Sequence, residues 1–235
     1  MTTTFPGFSR DSIQFLVDLA LHNERSWFQP HKADYERLLK EPLESLCLAL
    51  GERFEARGMP FRADPARSPF RIYRDVRFSA DKTPYKTHIS ASFPWAGEGK
   101  GGVGAYFHFQ PGEMFAGGGM WHPEPAQLAA WRRAVDTDPD TVKAAIESRE
   151  FVATFGHVSG DSLKRVPTGF APDHPAAELL KLKDVTFGRP LADDDVLSPY
   201  LPDVLATTFE AAVPLLALLA RLSPAETRAG WLRGG

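Results

Sequence analysis

Between Arg71 and His88 the chain concentrates groups that carry charge or donate hydrogen bonds. Arg71, Arg74, Arg77, Lys82 and Lys86 stand against Asp75 and Asp81, with Ser79, Thr83 and Thr87 interspersed. Five cations against two carboxylates make this segment locally +3 in a chain whose formal charge is −3. Guanidinium forks hold phosphate or carboxylate bidentately, lysines supply point charge and hydroxyls add neutral donors, so the chemistry on offer is recognition of an oxyanion. The competing reading is a solvated loop whose charges pair among themselves. Proton transfer needs a group beside these cations. Asp75, Tyr85 and His88 are the candidates near in sequence, and His108 can join them across a sheet. His88 and His108 fall on the polar sides of their strands, where they could pair with Asp75 or Glu113 nearby. No spaced ligand motif accompanies them, so neither a metal nor a cofactor is expected.

Two other stretches could complete such a site. Ala116 to Pro123 carries Gly117, Gly118 and Gly119 from a strand toward a helix whose first turn can hold Pro123. Amide N–H groups at that junction would cradle an anion with help from the helix start. The phosphate-contacting Lys and Ser/Thr of a P-loop are missing, and a β-bulge or tight packing under Trp121 explains the glycines as well. Lys164 and Arg165, with His174, Lys181 and Lys183, form a second basic segment that is either another wall of a pocket or a solvated surface. If Arg74 to Thr87 bends back toward the glycines, the result is a basic cleft for a phosphorylated or carboxylate small molecule. The alternatives are an interaction protein that docks an acidic partner through the same face and, less favoured, a nucleic-acid-binding protein. An overall charge of −3 offers no extended nucleic-acid footprint, and the aromatic residues are not interleaved with the basic ones. No Gly-x-Ser-x-Gly, His-Glu-x-x-His or dinucleotide fingerprint is present.

The elements that must position these residues follow from hydrophobic period. Residues 9–58 read as helical. Ile13, Phe15, Leu16 and Leu19 follow the Ser9 cap, Pro30 can open a second helix, and Pro42 opens a third carrying Leu43, Leu46, Cys47, Leu50 and Phe54 up to Gly58. Cys47 on that stripe is expected to be a small buried hydrophobe, and Trp27 and Phe28 to be packing residues. Residues 70–120 change to period two: Ile89, Ala91 and Phe93, then Ala105, Phe107 and Phe109, with Pro111-Gly112 as the turn into a strand Glu113 to Met120. Residues 123–222 are helical and mixed, with helices at Pro123 to Val135, Pro139 to Ile146 and Pro175 to Lys181 and a closing helix Asp203 to Leu222. Residues 223–235 are expected to be a flexible tail. Helices on both sides of a block of strands, without strand-helix alternation, predict an α+β fold with a central, mainly antiparallel sheet in a single domain over 1–235.

At 235 residues and 43% hydrophobic content the chain can bury a sizeable core. Its single cysteine excludes a disulfide framework, and Met1 to Arg10 shows no basic segment leading into an apolar run. The longest apolar stretch, Ala211 to Ala220, is interrupted by Pro214 and is too short to span a bilayer. A cytoplasmic protein without a membrane partner is expected.

The run Arg74-Asp75-Val76-Arg77-Phe78-Ser79-Ala80-Asp81-Lys82-Thr83-Pro84-Tyr85-Lys86-Thr87 resembles the signature of a conserved bacterial and fungal family, the domain of unknown function numbered 2461. Further matching pieces are Asn23-Glu24-Arg25-Ser26-Trp27-Phe28 with Tyr35, then Gly117-Gly118-Gly119-Met120-Trp121 with Pro123, and Leu163-Lys164-Arg165-Val166-Pro167-Thr168-Gly169-Phe170 with His174-Pro175. One departure is Asn23-Glu24, where the family more often shows a doubled Asn. The resemblance covers most of the chain and implies one domain throughout. It brings with it no substrate and no catalytic residue.

Overall fold

A computed structural model describes residues 4–99 and 102–223. The first helix, α1 (Arg10–Leu21), begins where its sequence calls for a cap: Ser9 Oγ accepts from the Ser12 amide at 3.2 Å, and Ser12 Oγ accepts from the Ser9 amide at 3.1 Å. Two single turns, α2 (Arg25–Phe28) and α3 (Lys32–Tyr35), lead through a π-helical turn at Glu36–Lys40 into α4 (Glu41–Ala56). The second helix therefore does not open on Pro30; α3 starts behind His31 and runs on into α4. Gly58 follows α4 with φ +62°, the left-handed conformation glycine adopts without penalty.

The strands β1 (Ile89–Pro94), β2 (Gly104–Gln110) and β3 (Glu113–Met120) are those the alternating pattern predicts. After them come α5 (Pro125–Thr137), α6 (Pro139–Ile146), α7 (Arg149–Phe155) and α8 (Ala177–Lys181). A fourth strand, β4 (Val185–Pro190), lies in the stretch expected only to be helical and mixed. The chain closes with α9 (Asp193–Val196), α10 (Leu201–Glu210) and α11 (Val213–Leu222). The fold is α+β, one antiparallel sheet in the order β1-β2-β3-β4 with flanking helices.

Other helix boundaries differ from expectation as well, α8 starting at Ala177 and not at Pro175. The helix after β3 starts at Pro125, with Glu124 as its cap, and not at Pro123. The stretch Asp203 to Leu222 is two helices, because Pro214 lacks an N–H and is tolerated only in a first turn, so the helix restarts at Val213. The expected tail lies, apart from Ser223, outside the described residues. Among the described residues no single helix is long and apolar enough to cross a membrane.

The chain divides into two compact units. The first comprises residues up to Ser92 with Tyr106–Ala116 and Pro190–Thr207. Its core holds Leu16, Leu19, Leu39, Leu46 and Cys47, all fully buried, with Phe8 tilted against Phe109 at 4.8 Å. Arg53 forks onto the Asp203 carboxylate at 2.8 and 2.9 Å, tying α4 to the start of α10. The second comprises Phe93–Ala105, Gly117–Arg189 and the chain from Thr208 onward. There α5, α6 and α11 pack together, Trp131 is fully buried with its indole N–H on Leu179 O at 3.1 Å, and Phe155 tilts against Phe187 at 4.6 Å.

Candidate functional site

Residues 68–74 run antiparallel to residues 84–92. Arg74 N donates to Pro84 O and Lys86 N to Ile72 O; further along, Phe70 N donates to Ser90 O and Ser92 N to Ser68 O. Between the two pairs of bonds a single residue, Arg71, stands opposite three: Thr87, His88 and Ile89. The extra residues form a bulge, which breaks the ladder and re-aims the side chains around it. His88 accordingly sits in the bend just before β1 instead of within the strand.

One end of this ladder is anchored by Asn23, whose side-chain amide donates to Tyr85 O at 2.9 Å and accepts from Tyr85 N at 3.0 Å. Tyr85 is 1% exposed and its ring stacks on fully buried Phe28 at 4.1 Å, so it faces the core of its unit, where burial raises its pKa. The motif pieces around Asn23, Phe28 and Tyr85 thus meet as one support. Tyr35, 5.5 Å from Phe28, is pushed up to about 12 by burial. Trp27 stacks on His31 at 4.3 Å, in keeping with a packing role.

Beyond the anchor the loop from Arg74 to Thr83 closes on itself. Arg74 donates to Asp81 Oδ2 and to both the hydroxyl and the carbonyl of Thr83. The Thr83 amide at 2.9 Å and the Arg74 guanidinium bring the Asp81 carboxyl down to about 2. Arg77 forks onto Asp75 at 3.0 and 2.7 Å, which holds that carboxyl below its usual range, and Lys82 Nζ donates to Val76 O at 2.9 Å. Arg74, Arg77 and Lys82 each hold a protein oxygen, and Asp75 is engaged with Arg77. At the tip Phe78 is 96% exposed, with the Arg77 guanidinium 5.9 Å from its ring centre.

The remaining two cations of the segment behave differently. Arg71 is exposed and forms no hydrogen bond or close ion pair among the described residues, although its charge helps to hold the Asp75 carboxyl low. Lys86 lies 5.2 Å over the Phe70 ring without an ion pair, and burial together with Arg71 lowers its pKa. Past the bulge His88 meets His108 of β2, ring centres 4.4 Å apart. Burial first, then His108 and Lys86, push His88 down to about 4. His108 is 8% exposed and is also lowered by burial, with Glu113 pulling the other way. Its Nδ1 is 3.2 Å from Tyr106 Oη, its face stacks on Phe115 at 4.9 Å, and its Nε2 is buried without a hydrogen bond. The structure therefore links Arg71 to Lys86, Lys86 to His88, His88 to His108 and His108 to Glu113, while Asp75 is held by Arg77 with help from the Arg71 charge and Tyr85 packs in the core of its unit. Tyr106 was missed as a site residue, although its spacing of two from His108 on one strand puts both on one face.

The other candidates belong to the second unit. Gly117, Gly118 and Gly119 lie inside β3, and a Cβ would stand 2.3 Å from Phe187 O at Gly117 and 2.1 Å from Val185 O at Gly119, where φ is +120°. Close approach of β4 is thus reason enough for glycine here. Trp121 is 67% exposed and does not pack over them. At the helix start Glu124 places a carboxylate where an anion was expected, its amide donating to Gln127 Oε1 at 2.9 Å. Lys164 and Arg165 are exposed in an irregular stretch. Among the described residues no group of three or more His, Cys, Asp or Glu side chains could hold a metal ion.

Comparison with known proteins supplies the remaining finding. Neither a curated protein nor a solved structure matches the chain. Residues 11–217 match the family described as Conserved hypothetical protein (DUF2461), a span that includes the Asn23 anchor, the closed loop and the histidine pair. The chain belongs to that family.

Proposed function

We propose that the protein binds an anionic small molecule, phosphorylated or carboxylate, on the cations left open at the bulge, Arg71 and Lys86. The observation that carries this reading is the contrast within one segment: Arg74, Arg77 and Lys82 hold protein oxygens, whereas Arg71 and Lys86 crowd each other without an ion-pair partner among the described residues. Like charges held side by side disfavour the empty state and are relieved by an anion, so the site gains on binding what it loses when vacant. His108, whose ring lies 4.4 Å from that of His88, has its Nε2 buried without a hydrogen-bond partner. The test is thermal unfolding in inorganic phosphate: Tm rises with concentration in the unmodified chain and in Arg77→Ala, and does not rise in Arg71→Ala or Lys86→Met. Equal rises in all four proteins would overturn the reading.

A second reading rests on Phe78. A nearly fully exposed aromatic ring at the tip of an internally braced, locally basic loop suits docking to an acidic protein surface. In that case the loop works without a small-molecule ligand, and the phosphate experiment gives no shift in any variant.

A further inference from the structure

We infer that the anion taken up at Arg71 and Lys86 is a dianion, and that its binding places a proton on the His88–His108 pair. This rests on the anion-binding reading and names the ligand class. The geometry comes first. The bulge carries His88 to within 4.4 Å of His108, ring centre to ring centre, and places His88 beside Lys86. The groups facing the pair are Lys86 on the bulged segment with Arg71 opposite it, Tyr106 and Gln110 on β2, and Glu113 on β3. His108 is more than nine-tenths buried, with its Nε2 left without a partner.

With the site empty, burial disfavours charge on either ring, Lys86 with Arg71 next to it adds to this at His88, and Glu113 is the carboxylate acting on His108, so both rings stay neutral at physiological pH. A divalent metal ion is disfavoured at the same place, because Arg71 and Lys86 repel it. An oxyanion reverses the sign of the local field. A monoanion only partly offsets Arg71 and Lys86. A dianion neutralises both and leaves its oxygens as acceptors, so an imidazolium N–H beside it gains a charge-assisted bond. Rings this close repel each other when both are charged, which limits uptake to one proton for the pair. The ligand class is therefore a doubly charged oxyanion such as a phosphate monoester, preferred over a monocarboxylate.

Sulfate and methanesulfonate separate the ideas cleanly, being a dianion and a monoanion of similar shape, neither of which titrates in the range used. Calorimetric titration of the full chain in two buffers of different ionisation enthalpy counts the protons. The expected result is uptake approaching one proton per sulfate, with affinity rising by up to about tenfold for each unit of pH lowered between about pH 7.5 and 5.5. Methanesulfonate should bind more weakly and with little uptake. The double variant His88→Gln with His108→Gln should bind sulfate with an affinity independent of pH. The imidazole resonances of the unmodified chain give a second readout, because one ring should titrate at higher pH in sulfate than without it. Sulfate binding without proton uptake, or methanesulfonate matching sulfate in both respects, overturns this inference and leaves the anion site standing. Absence of binding by either anion across the range overturns the site and the inference together.

Discussion

The loop from Arg74 to Thr83 and the patch of Arg71, Lys86, His88 and His108 are neighbours in sequence and similar in composition, yet they differ in how their charges end up. In the loop each cation has an oxygen close in the chain: Asp75 lies two residues before Arg77, and Asp81 and Thr83 lie within reach of Arg74. In the patch the carboxylate nearest in the chain to Arg71, Asp75, is already forked by Arg77, and the bulge sets His88 against a histidine from another strand. The comparison teaches that a high local charge is not itself a binding site. Pairing over a few residues turns arginines into loop braces, and only cations that the backbone separates from their acidic neighbours remain available.

The largest expected effect removes the support of both regions. Phe28→Ala deletes a fully buried ring stacked on Tyr85 and should cost about 3–5 kcal/mol in urea unfolding. A loss below about 1 kcal/mol would show that loop and patch do not share this anchor. Next is the ligand itself. At a phosphate concentration a hundredfold above Kd, the unmodified chain should gain about 2.7 kcal/mol. Arg71→Ala should lose that gain and Arg77→Ala keep it, and the reverse order would exchange the roles given to loop and patch.

Acid titration sharpens the contrast through opposite kinds of group. His88, at about 4 in the folded chain, binds a proton less readily than an unfolded histidine near ~6.5, so unfolding takes up protons in that window. Its contribution is therefore complete above about pH 6.5 and declines as pH falls toward 4. Asp81, at about 2 against an unfolded value near ~3.9, contributes stability present above about pH 4 and lost as pH falls toward 2. Stability curves of His88→Gln should be flatter in the first window, and those of Asp81→Asn in the second. The smallest effect belongs to Arg77→Ala, which breaks an exposed fork and should leave Tm nearly unchanged without ligand. A clear drop would mean that the loop brace matters to the whole fold.

Much of the fold was legible because it depends on short-range signals. Ser9 caps α1, Pro111-Gly112 turns β2 into β3, and Ile89, Ala91 and Phe93 recur at the strand period of two, although the structure buries Ser90 and Ser92 between them as well. Where the signals are mixed, reading failed: Val185 to Pro190 carries Gly188 and Pro190 yet forms β4, and the closing helix expected over Asp203 to Leu222 breaks and restarts at Val213, with Pro214 in its first turn. The basic segment was legible as a charge concentration, and so was the possibility that its charges pair internally. Which cations would pair was not, since Arg74 and Arg71 carry the same side chain and differ only in what the backbone brings to them.

The amino-acid sequence by itself determined the α+β order, the helical and alternating periods, the single buried cysteine and the +3 stretch, because each follows from residues within one element or one loop. Tertiary structure decided the rest. The meaning of Gly117 to Gly119 depends on β4, a strand distant in sequence whose carbonyls leave no room for a Cβ. The histidine pair depends on strand register and on a bulge of two extra residues, and a shift of one residue in register would send His108 to the opposite face of β2. Charge is a property of composition, but whether a charge is paired is a property of distance, and distance between segments is set only when the strands have found their register.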